Sequence, residues 1–497
     1  MMRSFLLCFL LVCCSWSSFA SKGYFEFSPN IKLAYQKAMD LKVIEASLLL
    51  AQVKREEPDN RMVYFVENYL DFIRIFINEN EAEFENLEKN KKRRLALIKS
   101  GDATSPYYLY AQAEIKLQWA LARLKFNEYL TALSEIKSAY KLLNKNLEKH
   151  PDFLPSKKSL GVLHAMVGTI PDNYRWAFKF LSGMDGTIEQ GRQEIEEVLQ
   201  YAQDHDEFLF EEETLVLYTF LLLHLKNDRS EAWQLLHTGR LRPTESPLAC
   251  FVLANMAMRI GKNDEAIQLL ENRPQGSEYH PFYFLDFLLG IAKLRKLDPS
   301  AGQHLEYYLQ HFQGKNYIKE AFQKLAWHHL LQGDEATYRR LIKVCKHKGN
   351  SSVSSDKSAE KEAKRGIVPH PILLKARVLF DGGYYQEAYD LLQEQSIDQF
   401  NRTDLQLEYI YRLGRICHEL QQVPEALQYY QQTIDQGRDQ KYYYACNAAL
   451  KSGILYEAQK EDDQARSYYR LCLSMKPNEY RSSLHGLAKA GLNRLSE

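Results

Sequence analysis

The sequence predicts an all-α chain, an α-solenoid of helical hairpins stacked side by side. Two observations predict it. Within GILYEAQKEDDQARSYYRLCLSMKP, residues 453–477, the small residue Gly453 is followed at fixed offsets by Tyr456, Ala465, Tyr469, Cys472 and Pro477. Parts of the same frame return upstream almost to the start of the chain, and internal periodicity of this length is the mark of a repeat array.

The frame has a physical reading. On a helix from about 463 to 475, Ala465, Tyr469 and Cys472 fall at i, i+4 and i+7 and share one face. Gly453 and Tyr456 mark one face of the helix before it, and Lys460-Glu461-Asp462-Asp463 makes the turn. Small residues let two helices approach, the aromatic ring fills the space beside them, and Pro477 ends the second helix by removing a backbone donor.

The N-terminus reads differently. Arg3 precedes an apolar run from Phe5 to Cys14, and Ser18-Phe19-Ala20 follows with small residues where a cleavage site needs them. That is the layout of a secretory signal peptide over residues 1–20, with a mature start at Ser21. The run is far shorter than the ~20 residues of a membrane span. Cys13 and Cys14 raise lipidation, but Val12 and Cys13 stand where a lipoprotein signal wants small residues. The expectation is an exported, periplasmic chain that is soluble once cleaved.

Hairpins follow in order. Over 21–160, Ala34, Ala46, Leu50 and Pro58 fit the frame, as do Ala120, Ala132, Ile136 and Ala139, while 61–99 forms a hairpin without a clear frame. Residues 161–195 begin a repeat at Gly161 and then insert Gly168-Thr169-Ile170-Pro171, Tyr174, Trp176 and Gly183-Met184-Asp185-Gly186 before a helix carrying Gly191. Over 196–346, Ala232 and Pro243 mark one unit and Ala254, Ala266 and Leu270 the next. Two weaker hairpins follow over 283–344, with Tyr338 where alanine is expected and hence local distortion. Residues 347–366 are polar and mixed in charge with no apolar face, so a flexible insertion is expected. Over 367–497, Ala376, Ala388 and Leu392 open the last series, then Gly414, Cys417, Ala426, Tyr430 and Thr433, then the unit at Gly453.

This frame resembles the tetratricopeptide repeat, a helical hairpin of 34 residues. The resemblance implies a right-handed superhelix with a concave groove, lined by the first helix of each hairpin, that binds extended peptides or helices. Residues 161–195 further resemble a segment of uncharacterised exported bacterial tetratricopeptide proteins and, distantly, of the eukaryotic inclusion-body clearance proteins. That likeness carries no catalytic residues. It leaves Tyr174 and Trp176 as ligand contacts or as a plug packing an extra helix.

Composition narrows function. The chain has 497 residues with 64 Lys plus Arg against 64 Asp plus Glu, so no net field draws it to nucleic acid or anionic lipid. Five cysteines after residue 21 are scattered without a CxxC, which reads as buried small hydrophobes. Phosphate-loop, zinc-protease and nucleophile-elbow motifs are missing, and the adjacent His328 and His329 diverge on a helix. Glu211-Glu212-Glu213 opens a helix, where acids favour the dipole. The reading is a protein without catalytic, cofactor or metal site.

Surface remains. Groove positions of the 407–440 unit would hold Tyr411, Arg412 and Arg415, exposed on one face, and those of the 446–479 unit Leu450, Lys451 and Ile454. An arginine pair beside an aromatic suits an acidic or aromatic peptide. The Lys-and-Asn clamp of the chaperone-binding tetratricopeptide proteins has no match here. The expected function is a non-catalytic scaffold for a protein or peptide partner in an envelope complex. The alternative is a glycan- or nutrient-binding accessory of an outer-membrane uptake system.

Overall fold

Helical hairpins account for the architecture in a computed structural model that describes residues 22–169, 182–222, 233–234 and 240–495. Residues 1–20 and both Tyr174 and Trp176 lie outside the described residues. Apart from two isolated bridges, from Gly23 to Gly101 and from Tyr24 to Asn60, the described residues form no β structure. They divide into two units, one running to Leu241 and including Pro274–Pro281, the other taking Arg242–Arg273 and everything from Phe282.

The first unit holds α1 (Pro29–Met39), α2 (Val43–Glu56), α3 (Met62–Asn78), α4 (Glu81–Lys99), α5 (Pro106–Lys125), α6 (Tyr129–Lys149), α7 (Leu154–Gly168), α8 (Ile188–Asp204) and α9 (Glu211–Leu221). Successive pairs from α1 to α8 pack as hairpins, and α9 lies on α7 and α8. Side-chain caps start several of them: Asn80, Ser105 and Thr187 each accept a backbone N–H of the first turn. The alanines of the frame, Ala34, Ala46, Ala120 and Ala132, are completely buried where paired helices meet. Gly191 belongs to the same logic, since a Cβ there would come within 2.2 Å of the Gly161 carbonyl oxygen across the α7–α8 contact.

The second unit contains α10 (Pro247–Arg259), α11 (Asn263–Glu271), α12 (Phe284–Arg295), α13 (Ala301–His311), α14 (Ile318–Leu331), α15 (Glu335–His347), α16 (Ser354–Arg365) and α17 (Pro371–Gly382). It continues with α18 (Tyr385–Gln393), α19 (Thr403–Glu419), α20 (Val423–Gly437), α21 (Tyr444–Ala458), α22 (Asp462–Ser474) and α23 (Arg481–Arg494). Apart from α16 and the terminal α23, these form hairpins in sequence. The turn at Gly383, with φ of +84°, meets the turn at Gly261 so closely that a Cβ would fall 2.1 Å from the Gly261 oxygen.

The segment 347–366 corrects the sequence reading. Its core is the helix α16, seated on α14 and α15 through Asp356, Ala359, Glu362 and Ala363. Carboxylates do the anchoring that an apolar face would otherwise provide. Buried Asp356 accepts the backbone N–H groups of Tyr317 and Glu320 at 2.7 and 2.9 Å, at the start of α14. Glu362 accepts from Trp327 Nε1 at 2.7 Å, Gln323 Nε2 at 2.6 Å and the Tyr338 hydroxyl at 3.4 Å. Tyr338, standing where the frame has alanine, thus reaches past its own hairpin to hold the extra helix.

All five described cysteines are buried and free, as the sequence suggested. Cys446 and Cys472 touch across α21 and α22, with their sulfurs 3.6 Å apart. No described helix is long and apolar enough to cross a membrane.

Candidate functional site: an arginine and aromatic pocket

The frame places two arginines alike. Arg377 follows Ala376 on α17 and Arg415 follows Gly414 on α19. The small residue faces the partner helix, and the next residue is rotated by about 100° and leaves that contact. Between these helices lies a concavity of about 170 Å³ whose walls include Arg377, Phe380, Asp381, Tyr411, Arg412, Arg415 and Tyr443.

The rings hold the cations in place. The Arg415 guanidinium carbon lies 4.6 Å from the Phe380 ring centre and 6.0 Å from that of Tyr411, and its Nη1 donates to the Tyr411 hydroxyl at 3.2 Å. It forms no ion pair among the described residues. Arg412 is paired with Glu408 one turn back, and its side chain is only 15% exposed. Arg377 reaches Asp381 at 3.9 Å, with both side chains about two-fifths exposed at 42% and 43%. Its other neighbour is Trp327 on α14, whose ring centre is 4.6 Å from the guanidinium carbon and 3.8 Å from Lys324 Nζ. Burial lowers the Lys324 pKa, with Glu320 opposing and Arg377 reinforcing the shift.

The expected contact residues fall out unevenly. Arg412 and Arg415 do line one pocket, but Arg412 is mostly covered rather than exposed. Tyr411 is buried, because α21 packs over it and Asn447 Nδ2 donates to its hydroxyl at 2.7 Å. Leu450 is buried as well. Lys451 is half-buried on α21, does not line the pocket, and acts on His418, whose pKa is lowered first by burial and then by the Lys451 charge. Sequence reasoning passed over Arg377 and Phe380, although the register that selected Arg415 after Gly414 also selects Arg377 after Ala376. Nothing in the sequence pointed to Trp327 and Lys324, which lie in the hairpin where the frame is weakest.

A second polar cluster lies in the first unit. Glu213 accepts from Lys158 Nζ at 2.8 Å and from the hydroxyls of Tyr35 and Tyr69 at 3.2 Å, with Glu114 on the far side of Lys158 at 3.9 Å. The Lys158 ammonium also faces the Phe210 ring at 4.9 Å. Glu213 was read from sequence as a helix-start acid, and it does open α9, but its carboxylate is the hub of this core network. Among the described residues no group of His, Cys, Asp and Glu is arranged to hold a metal ion.

Fold and pocket together define a helical-repeat protein with a basic and aromatic cleft between successive first helices. Residues 410–442, which carry Tyr411, Arg412 and Arg415, match the family model of the tetratricopeptide repeat. The hairpin of α19 and α20 is of that type. Solved structures similar to this chain include the TPR domain of P58(IPK), at 15% identity over 83% of this chain and 96% of that one with a TM-score of 0.22. Yeast Tom70 is similar at 13% identity over 88% and 89%, with a TM-score of 0.33. Cut9–Hcn1 of the APC/C is similar at 12% over 94% and 97%, with a TM-score of 0.27. No sequence match to a curated protein was found.

Proposed function

We propose that this chain is a non-catalytic interaction scaffold of the cell envelope, and that the cleft between α17 and α19 receives an acidic or aromatic segment of a protein partner. Arg415 carries the reading: a half-buried guanidinium, fixed by two rings and facing a concavity, with no carboxylate in ion-pair contact among the described residues. A partner's carboxylate would complete it with charge-assisted bonds, and Arg is the side chain best shaped for that contact. The repeat fold supports the scaffold role, since first helices in series build surfaces for peptides. The signal-like start at Arg3 to Ala20 supports the envelope location.

Capture of the native partner by wild type and by Arg415→Gln at matched melting temperature tests the cleft. Charge reversal at Arg412 is a poorer choice, because it would oppose Glu408. The variant should capture less, most clearly at low salt. Undiminished capture moves the surface elsewhere. N-terminal sequencing of native protein tests the location: a start near Ser21 supports export, and retention of Arg3 contradicts it.

A further inference from the structure

We propose that Cys446 and Cys472 are an oxidation site: hydrogen peroxide converts these facing thiols into a disulfide that staples α21 to α22, and release of α23 is the entry step. Neither the cleft nor the scaffold reading is needed for it. Cys446 Sγ lies 3.6 Å from Cys472 Sγ and donates to the Cys472 carbonyl oxygen at 3.4 Å. A disulfide bond is about 2.0 Å long, so the sulfurs need to close by only about 1.5 Å.

Packing alone does not call for two thiols here. Cys446 and Cys472 stand seven residues before and nineteen after Gly453. At the same offsets from Gly414 the preceding hairpin has Leu407 and Thr433, and at those from Ala120 the pair α5 and α6 has Ala113 and Ala139. All four are buried, so the two places are filled elsewhere by groups that thiol oxidation does not touch.

The thiols also differ in acidity. Burial pushes Cys250 and Cys345 up to about 12 and Cys417 up to about 11. The hydrogen bond with Cys472 holds the Cys446 thiol below its ordinary value, against burial, and the Arg481 charge adds to that lowering. Cys446 is therefore the attacking sulfur, since the thiolate is the nucleophile.

Both sulfurs are shut away from water, and a buried thiol is inert until it is uncovered. The cover is α23, which packs on α21 and α22 and brings the Leu484 carbonyl oxygen to 4.0 Å from Cys472 Sγ. The residues it buries are Leu484, Ala488 and Gly491, two of them small. Elements with little buried apolar surface open at low cost.

Once peroxide enters, the Cys446 thiolate attacks one of its oxygens and breaks the O–O bond. A sulfenic acid forms, and the departing hydroxide takes up the proton that the thiol lost, as water. The Cys472 sulfur then attacks the Cys446 sulfur; the S–S bond forms, the S–O bond breaks, and the hydroxyl leaves with the Cys472 proton as a second water. Two thiols give up two electrons, and one peroxide is reduced to two waters.

The test is mass spectrometry of the full chain after hydrogen peroxide treatment, unfolding, alkylation and tryptic digestion without reduction. The peptides 442–451 and 471–481 should appear joined, two hydrogens lighter than their sum, while Cys250, Cys345 and Cys417 are alkylated. The urea midpoint should rise and dithiothreitol should reverse the rise. Cys446→Ser and Cys472→Ser should each abolish the joined peptide. In Gly491→Ala a Cβ falls 2.5 Å from Cε2 of Tyr469, which loosens α23 and should speed the joining about tenfold. Complete alkylation of Cys446 and Cys472 after peroxide overturns the site. Sulfinic acid on either of them, in place of the joined peptide, overturns the staple. An unchanged rate in Gly491→Ala overturns α23 as the entry step.

Discussion

The ring of Tyr469 occupies the space a side chain on Gly453 would need: a Cβ built on Gly453 falls 2.7 Å from the ring's Cδ1. Gly491 of α23 closes on the other edge of the ring, where a Cβ would fall 2.5 Å from Cε2. One aromatic thus locks α21, α22 and the terminal helix. The same pairing joins Gly414 and Tyr430 one hairpin earlier, at 2.8 Å.

Gly453→Ala should therefore cost about 1–3 kcal/mol by overpacking, although alanine is the better helix former. Gly486 on α23 has nothing within 4 Å of its Cβ position, so Gly486→Ala should gain about 0.5–1 kcal/mol. Urea midpoints of both variants check the contrast. Two gains would show that the ring does not sit on Gly453.

That contact also shows what the sequence could tell. Gly453, Ala465, Tyr469 and Cys472 are legible because close helix packing admits few residue types, and the structure buries all four. The helix α16 was not legible, because its anchors are Asp356 and Glu362, and carboxylates read as solvent-facing until their donors on α14 and α15 are known. The cleft was half legible for a similar reason. Arg412 and Arg415 share a short stretch, whereas Arg377, Trp327 and Lys324 join them only through contacts across helices. Burial of Tyr411 under Asn447 depends on α21, and no local pattern in α19 reports it.

Asp356 makes the seating of α16 depend on pH. Burial, helped by the nearby Glu320 charge, pushes its carboxyl up to about 6, against the backbone N–H groups of Glu320, Tyr317 and Lys319 that favour the charged form. A folded-state pKa above the unfolded value of about 3.9 stabilises the fold fully below that value, and the contribution is lost as pH rises through about 6. Relative to wild type, Asp356→Asn should thus become more stable by about 2 kcal/mol between pH 4 and pH 7. Urea titrations at both pH values check it. A constant difference would contradict the assignment.

Lys158 is completely buried between Glu213 and Glu114, the latter also buried. Lys158→Met removes the ammonium that both carboxylates approach and leaves them without it, which should cost about 3–5 kcal/mol. Adding Glu114→Gln to that variant should recover part of the loss. Additive losses in the double variant, read from thermal unfolding, would show that Lys158 and Glu114 do not act as a pair.

The central claim is that partners bind the cation-bearing first helices of the second unit. Hydrogen–deuterium exchange of the full chain, with and without its captured partner, tests it most directly. The account predicts slowed exchange confined to Pro371–Gly382 and Thr403–Glu419, the α17 and α19 segments that wall the cleft. Protection confined to other segments, with these two exchanging as in the free protein, would contradict it.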